Sequence, residues 1–404
     1  MPARSIMHMD LDTFFVSVER LLDSRLEGKP ILLGGTSDRG VVASCSYEAR
    51  SFGVHSGMSM KMARQLCPEG IVIRGNSSNY MKYSAMVTDI IKESFPLYEK
   101  TSIDEFYVDL SGMDRFFGCL KMASESRKRI IKETGLPISF GLSQNKTVSK
   151  VATGEAKPNN QIKVDTGLEK AFLAPLSIKK IPMVGDKTYQ LLSNLGVKQI
   201  RTLQQMQPEM LEKVLGKNGL LLWKKANGVD TSPVIPYTER KSISTERTFD
   251  RDTIDVAKLK GILTAMAENL AFQLRRGNKV CACVTVKVRY SDFNTYTLQA
   301  HIPYSSADHV LIPKVLELFD RLYNKRLLVR LIGVRLSSLV TGSYQMDLFS
   351  DNEELINLYQ AMDKIRNRFG DRSVMRASGI QARSIGRGNP FTGDAAPLLA
   401  NRRS

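Results

Sequence analysis

Apolar residues along the chain switch between two spacings, and the switches lay out the elements. "SIMHMDLDTFF" reads as a short strand running into a helix, "VSVERLLDSRLEG", which Gly28 closes. "KPILLGG" and "GVVASCSYEARSFG" predict strands ending in glycines, with a short helix after the second. Across "NSSNYMKYSAMVTDIIKESF" apolar positions return at helical spacing, and Tyr83, Met86, Ile90 and Ile91 share one side. "EKTSIDEFYVDLSG" predicts a hairpin, with Tyr98 to Ile103 as one strand and Phe106 to Leu110 as the other. A helix ("FGCLKMASESRKRIIKETG"), a strand ("LPISFGLS") and another helix ("NKTVSKVATGEA") follow. The order strand–helix–strand–strand–helix–strand is a split βαβ or ferredoxin-like pattern, with a small subdomain inserted at about 21–76.

Pro158 breaks the pattern, and residues 166–232 read as helical. Their landmark, "IKKIPMVGDKTYQLLSNLGVKQIRTLQQM", predicts helix, tight glycine turn, helix. "PVIPYTERKS" (233–242), with its prolines and charges, reads as a linker. Residues 243–343 form a second α+β region, with "VCACVTVKVRYSD" and "LIGVRLSSLV" as strands and two helices between strands. The last stretch, 344–404, opens on "YQMDLFSD" and holds one helical run, "NEELINLYQAMDKIRNRFG". Beyond about 380 the Gly-, Pro- and Arg-bearing tail has the composition of disorder.

A chain of 404 residues exceeds one ordinary domain, so several cores are expected. No apolar run is long enough for a transmembrane helix, and "MPARSIMHMDLD" has no apolar signal region. The five cysteines are scattered and odd in number, which argues against a disulfide framework or a zinc site and fits a reducing cytoplasm. Charge changes the picture most. With 58 Lys and Arg against 41 Asp and Glu, the net charge of +17 points to a polyanionic partner, nucleic acid first and an anionic membrane second.

The candidate chemistry lies in adjacent carboxylates. "MDLD" sets Asp10 and Asp12 on one face of the first strand, and a split βαβ sheet puts that strand beside the one leaving the hairpin. Asp10 is thereby expected near Asp104 and Glu105, with no basic side chain supplied by these motifs. Converging like charges call for neutralisation, and a pair of Mg²⁺ ions does this with hard oxygen ligands. Two ions about 3.5–4 Å apart stabilise both the attacking and the leaving oxygen of a phosphoryl displacement. The alternative is that Asp10 caps the next helix while Asp104 and Glu105 form a solvated turn. For a triphosphate, Tyr47 and Arg50 stand three apart on a short helix, and Lys157 follows at a helix end. The amides of Thr13, Phe14 and Phe15 open a helix toward phosphate.

Together these stretches resemble the Y-family (translesion) DNA polymerases, most closely the bacterial DNA polymerase IV branch. "HMDLDTFFVSVE", "VVASCSYEARSFGVHSGM", "SIDEFYVDLSG", "SFGLSQNKTVSKVATGEAKPN", "IPMVGDKT" and "LIGVRLSSL" come in the family's order across about 1–343. The resemblance implies an α+β, multi-domain right-hand polymerase. Its ferredoxin-like palm would be 1–20 and 77–165, its small fingers 21–76, and its helical thumb 166–232. An α+β little finger would occupy 243–343. Asp10, Asp104 and Glu105, with the Leu11 carbonyl, would hold two Mg²⁺ ions. Tyr47, Arg50, Lys157 and the Ser44 hydroxyl would grip the triphosphate, Phe14 and Phe15 would meet the nucleotide, and Phe15 would exclude a ribose 2′-hydroxyl. Small residues such as Gly40, Ala43 and Ser44 fit fingers that press lightly on the nascent pair, hence low fidelity.

In the helix-hairpin-helix, Gly185, Lys187 and Thr188 would take a DNA phosphate. Arg247, within "SISTERTF", and the strand pair Arg330 and Arg335 would track the backbone. "QMDLF" resembles a sliding-clamp docking peptide through Gln345, Leu348 and Phe349, although the chain runs on well beyond it. Primer–template DNA, dNTPs and a clamp are the expected partners of a monomer without proofreading. A non-catalytic scaffold at stalled forks and a nucleotidyl cyclase-like palm enzyme are the rivals.

Overall fold

Strand β1 (Ile6–Leu11) lies at the centre of a five-stranded sheet, flanked on both edges, and five of its six residues are buried. The computed structural model describes residues 4–113, 118–342, 353–370 and 373–379. After β1 come helix α1 (Phe14–Leu22), strands β2 (Ile31–Gly34) and β3 (Val42–Cys45), helices α2 (Tyr47–Ser51) and α3 (Met60–Leu66), and strand β4 (Ile71–Ile73). Helix α4 (Ser77–Ser94), strands β5 (Tyr98–Lys100) and β6 (Glu105–Asp109), helix α5 (Cys119–Thr134), strand β7 (Ile138–Ser143), helix α6 (Lys146–Ala156) and strand β8 (Gln161–Lys163) follow.

The order β5-β6-β1-β7 is antiparallel throughout and is the ferredoxin-like arrangement; β8 adds a parallel edge beyond β7. Met7, Met9, Leu11, Phe106, Val108 and Phe140 build the core with Val87 and Ile91 of α4 and Ala123 and Ile130 of α5. Helix α6 lies against the sheet through Ser149 and Thr153, whose hydroxyls donate to the Ile6 and His8 carbonyls. It packs so closely that a Cβ on Gly141 would come within 2.2 Å of the Ser149 carbonyl. The inserted segment forms its own sheet, β3-β2-β4, over Leu32, Val42, Met60 and Cys67. Gly40 is small there for a packing reason: a Cβ would sit 2.3 Å from the Gly35 carbonyl oxygen.

Two local expectations change. Helix α1 ends at Leu22 rather than running to Gly28, because Asp23 turns extended and its carboxylate accepts the Arg25 amide to start a 3-10 turn. In the helical segment, α7 (Glu169–Leu173), α8 (Asp186–Asn194), α9 (Ile200–Gln205), α10 (Pro208–Leu215) and α11 (Lys217–Ala226) share a core with Val148 and Val151 of α6. The helix expected before the glycine turn is one 3-10 turn, Ile178–Lys180, and Pro182 bars its continuation. The left-handed residue is Met183 (φ 82), while Gly185 is extended and starts α8.

The first part of the expected linker is pinned down. Val234 is buried with Ile6 and Tyr107, the Ile235 amide donates to Glu99 (2.6 Å), and Lys146 Nζ bridges Glu99 and the Pro233 carbonyl. Val234, one of two apolar residues between prolines, found a buried site, while Ile235 stays exposed.

Contacts divide the chain between Thr238 and Glu239. The second unit holds β9 (Ser242–Thr253), α12 (Val256–Arg276), β10 (Lys279–Tyr290), β11 (Thr295–Ser305), α13 (Asp308–Leu322), β12 (Val329–Thr341) and α14 (Glu353–Phe369). Its antiparallel sheet, β11-β10-β12-β9, buries Val286, Val288, Ile332 and Val334 with the apolar faces of α12 and α13. Helix α14 docks through buried charge: Arg366 pairs with Glu268 at 2.6 Å, and Arg275 pairs with both Asp308 and Asp363. Tyr359 is 1% exposed, and its oxygen lies 2.9 Å from His309 Nδ1. No helix among the described residues is long and apolar enough to cross a membrane.

Candidate active site

The pairing register brings the carboxylates together. Asp10 on β1 stands directly opposite Glu105 on β6, and the Leu11 amide donates to the Asp104 carbonyl at 3.1 Å, so the hairpin turn closes over the end of β1. Burial pushes the Asp10 carboxyl up to about 7; Lys157 opposes the rise, and Asp104 and Glu105 add to it. Asp104 is also raised, by burial first, with a hydrogen bond from Ser102 working against it and Glu105 adding to it.

The expectation that these motifs bring no basic side chain is corrected. Lys157 Nζ donates to Asp10 Oδ1 at 2.6 Å, and Lys150 Nζ donates to Glu105 Oε2 at 2.7 Å. Both lysines come from α6 or its end, and α6 is held against β1 and β7 by packing. Desolvated carboxylates take the nearest cations available. With Asp10 and Glu105 each turned to a lysine, no group of three or more His, Cys, Asp or Glu among the described residues stands in metal-holding geometry.

Asp12 does different work. It is 1% exposed, accepts from Ser139 Oγ at 2.9 Å and from the Asn159 amide at 2.6 Å, and so fastens the loop carrying Lys157 to the strand end. Thr13 takes a left-handed turn (φ 41), and α1 begins without a side-chain cap hydrogen bond. Tyr47 begins α2 after the Ser46 cap, and the Arg50 guanidinium lies 5.1 Å from its ring centre. Its phenol is pushed up to about 12 by burial first, then by the negative field of Asp12 and Asp10. Among the described residues the buried Tyr47 hydroxyl has no hydrogen-bond partner.

Known proteins are similar to this chain. The impB/mucB/samB family matches residues 9–154, and the impB/mucB/samB family C-terminal domain matches residues 240–348. DNA polymerase IV of Dehalococcoides mccartyi (strain CBDB1) is 38% identical over 378 residues, 93% of this chain and 97% of that protein. DNA polymerase IV of Desulfatibacillum aliphaticivorans is 36% identical over 383 residues, 92% of this chain and 96% of that one. The chain belongs to the Y-family of DNA polymerases. A solved Y-family DNA polymerase chimera superposes with a TM-score of 0.73 at 27% identity, covering 84% of this chain and 100% of the other. The protein is a translesion DNA polymerase, a DNA-directed nucleotidyltransferase, and relatives aligned along nearly the whole chain favour neither a scaffold nor a cyclase.

Within the polymerase, the two phenylalanines separate. Phe14 is 3% exposed, and its side chain packs in the core. Phe15 is half-buried, its ring 4.5 Å from that of Tyr80, whose hydroxyl donates to Glu19. Ser44 is buried on β3.

The arginines of the polymerase's second unit separate too. In β12, Ile332, Val334 and Leu336 belong to the core, so Arg335 lies on the opposite, open face. Arg330 sits at the irregularity between Val329 and Leu331, where strand alternation is interrupted, and stacks on Phe293 at 4.4 Å, while Arg247 pairs in register with core-facing Ile332. Gly185 and Lys187 are exposed at the start of α8, and Thr188 is half-buried. Gln345, Leu348 and Phe349 lie outside the described residues.

Sequence reasoning missed Lys150, Ser102 and Tyr80. A signal existed for the first: Lys146, Lys150 and Lys157 repeat by four and then seven, which aligns them on one side of α6. Ser102 and Tyr80 carried none, since each acts through a contact made only on folding.

Proposed function

We propose that the polymerase extends primers past damaged template bases at low fidelity and without proofreading. In this reading Asp10, Asp104, Glu105 and the Leu11 carbonyl oxygen hold two Mg²⁺ ions. The observation that carries it is the register of Asp10 against Glu105 with Asp104 folded over β1, an all-oxygen donor set in a desolvated pocket. Such ions would supply charge stabilisation to the attacking and leaving oxygens. The chain's own groups do the rest. Lys157 and Lys150 neutralise the carboxylates in their absence, and Lys157 becomes free for triphosphate once Asp10 has another cation. Tyr47, Arg50 and the uncapped start of α1 bind phosphate oxygens, a role supported by the unsatisfied Tyr47 hydroxyl. In this reading the Ser44 hydroxyl on β3 adds a further donor to the triphosphate.

We assign residues 1–20 and 77–165 to the palm, 21–76 to the fingers, 166–232 to the thumb and 243–343 to the little finger. Gly185, Lys187 and Thr188 at the start of α8, and Arg335 on the open sheet face, would hold backbone phosphates without reading sequence. One assay tests the whole reading: purified protein, a primed template with and without a damaged base, dNTPs and Mg²⁺. Extension past the damaged base is expected. Binding without extension would instead favour the scaffold.

Two variants probe its parts. Phe15→Ala removes the ring expected beneath the sugar, so ribonucleotide incorporation should rise by about 10²-fold or more, corresponding to roughly 3 kcal/mol of lost discrimination. A variant that still rejects ribonucleotides would remove Phe15 from this role. For the sliding clamp, Leu348→Ala with Phe349→Ala should abolish stimulation by clamp while sparing extension on bare primed DNA; unchanged stimulation would reject the docking peptide.

A further inference from the structure

On the open face of the C-terminal sheet, three strands bring one acidic and one basic side chain together across a glycine. Gly333 on β12 pairs in register with Lys287 on β10 and with Glu246 on β9, so the three residues form a row across the sheet. Having no side chain, Gly333 lets Glu246 lie over the middle strand, and its carboxylate accepts from Lys287 Nζ at 2.8 and 3.1 Å. A Cβ on Gly333 would stand 2.7 Å from Glu246 Cγ, so any other residue would push the carboxylate away.

This face is otherwise suited to anions. Arg335 lies on it, as do Lys287 and Arg289 on β10, with Ser244, Thr285, Thr297 and Gln299 between them. Glu246 is the exception. Its side chain is 42% exposed and that of Lys287 29%, and an ion pair so open to water adds little to stability. Its consequence is for what binds there.

We propose that Glu246 is an electrostatic competitor that keeps Lys287 engaged across Gly333 and so limits how tightly this sheet face holds nucleic-acid phosphate. A phosphate approaching Lys287 must displace the carboxylate or leave the lysine unused. A polymerase called for short stretches of synthesis gains release from such a brake. The proposal rests on the reading that this face meets DNA, and the experiment separates the two.

The test is equilibrium binding of the full chain to primer–template DNA over a range of salt. Glu246→Gln should tighten binding about fivefold, the size of one exposed ion pair, and steepen the slope of log K against log salt by about one phosphate contact. Gly333→Ala, which displaces the same carboxylate by crowding, should shift affinity in the same direction. Lys287→Ala should change little alone and should erase the gain from Glu246→Gln when combined with it. An unchanged affinity and slope in Glu246→Gln would overturn the proposal, as would a gain that survives loss of Lys287. Arg335→Ala serves as the control for the face: if it fails to weaken binding, the reading of this surface as a DNA surface falls. If it weakens binding while Glu246→Gln does nothing, only the brake falls.

Discussion

Asp104→Ala is expected to abolish primer extension, by roughly 10³-fold or more, while DNA affinity stays within about twofold. The carboxylate is desolvated, lies at the closing turn of β1 and β6, and contributes to the raised Asp10. Removing it takes away one of three converging acids, and the remaining pair, Asp10 and Glu105, is already matched one-to-one by Lys157 and Lys150. In the proposed reading, a site balanced in that way loses the excess negative charge that would hold a second divalent ion. The groups proposed to hold DNA lie elsewhere, so binding is spared. Single-turnover extension alongside equilibrium binding of primed DNA distinguishes the outcomes. Extension at even a tenth of the parent rate would mean that the acidic trio does not act as a unit.

Arg366→Ala is expected to release helix α14 from the C-terminal unit. The Arg366 side chain is 2% exposed, pairs with Glu268 at 5% exposure, and donates from Nε and Nη2 to the Val374 carbonyl. Removing one partner leaves Glu268 as an uncompensated buried charge, which costs about 3–5 kcal/mol. Exchange protection of the α14 amides should fall by roughly 10³-fold, the same free energy expressed as an opening equilibrium. Replacing both partners by apolar residues, Arg366→Met with Glu268→Leu, should restore most of the protection, since the buried charges are then removed together. If the single change leaves protection intact, the ion pair does not hold the helix.

The buried ion pairs also account for what made α14 illegible. Its apolar spacing predicted a helix, and the helix is there, but nothing local said which surface it meets. The sequence around Glu268, Asp308 and Arg275 carries no local mark of their burial. Only packing shows Asp308 fully buried between Arg275 and the α14 layer.

The sequence by itself determined the element order, the ferredoxin-like pairing and the meeting of Asp10 with the "SIDE" turn. Alternation and helical spacing are local, and few topologies join strand–helix–strand–strand–helix–strand without crossing. Tertiary structure decided the balance of charge. Lys150 and Lys157 reach the acids because α6 packs on β1 and β7, a contact between residues some 140 positions apart in the chain. It also decided that Asp12 anchors a loop and that Phe14 belongs to the core while Phe15 stays half open. Each depends on which partner a side chain finds once strands lie side by side, and a one-dimensional pattern records only the direction in which a side chain sets out.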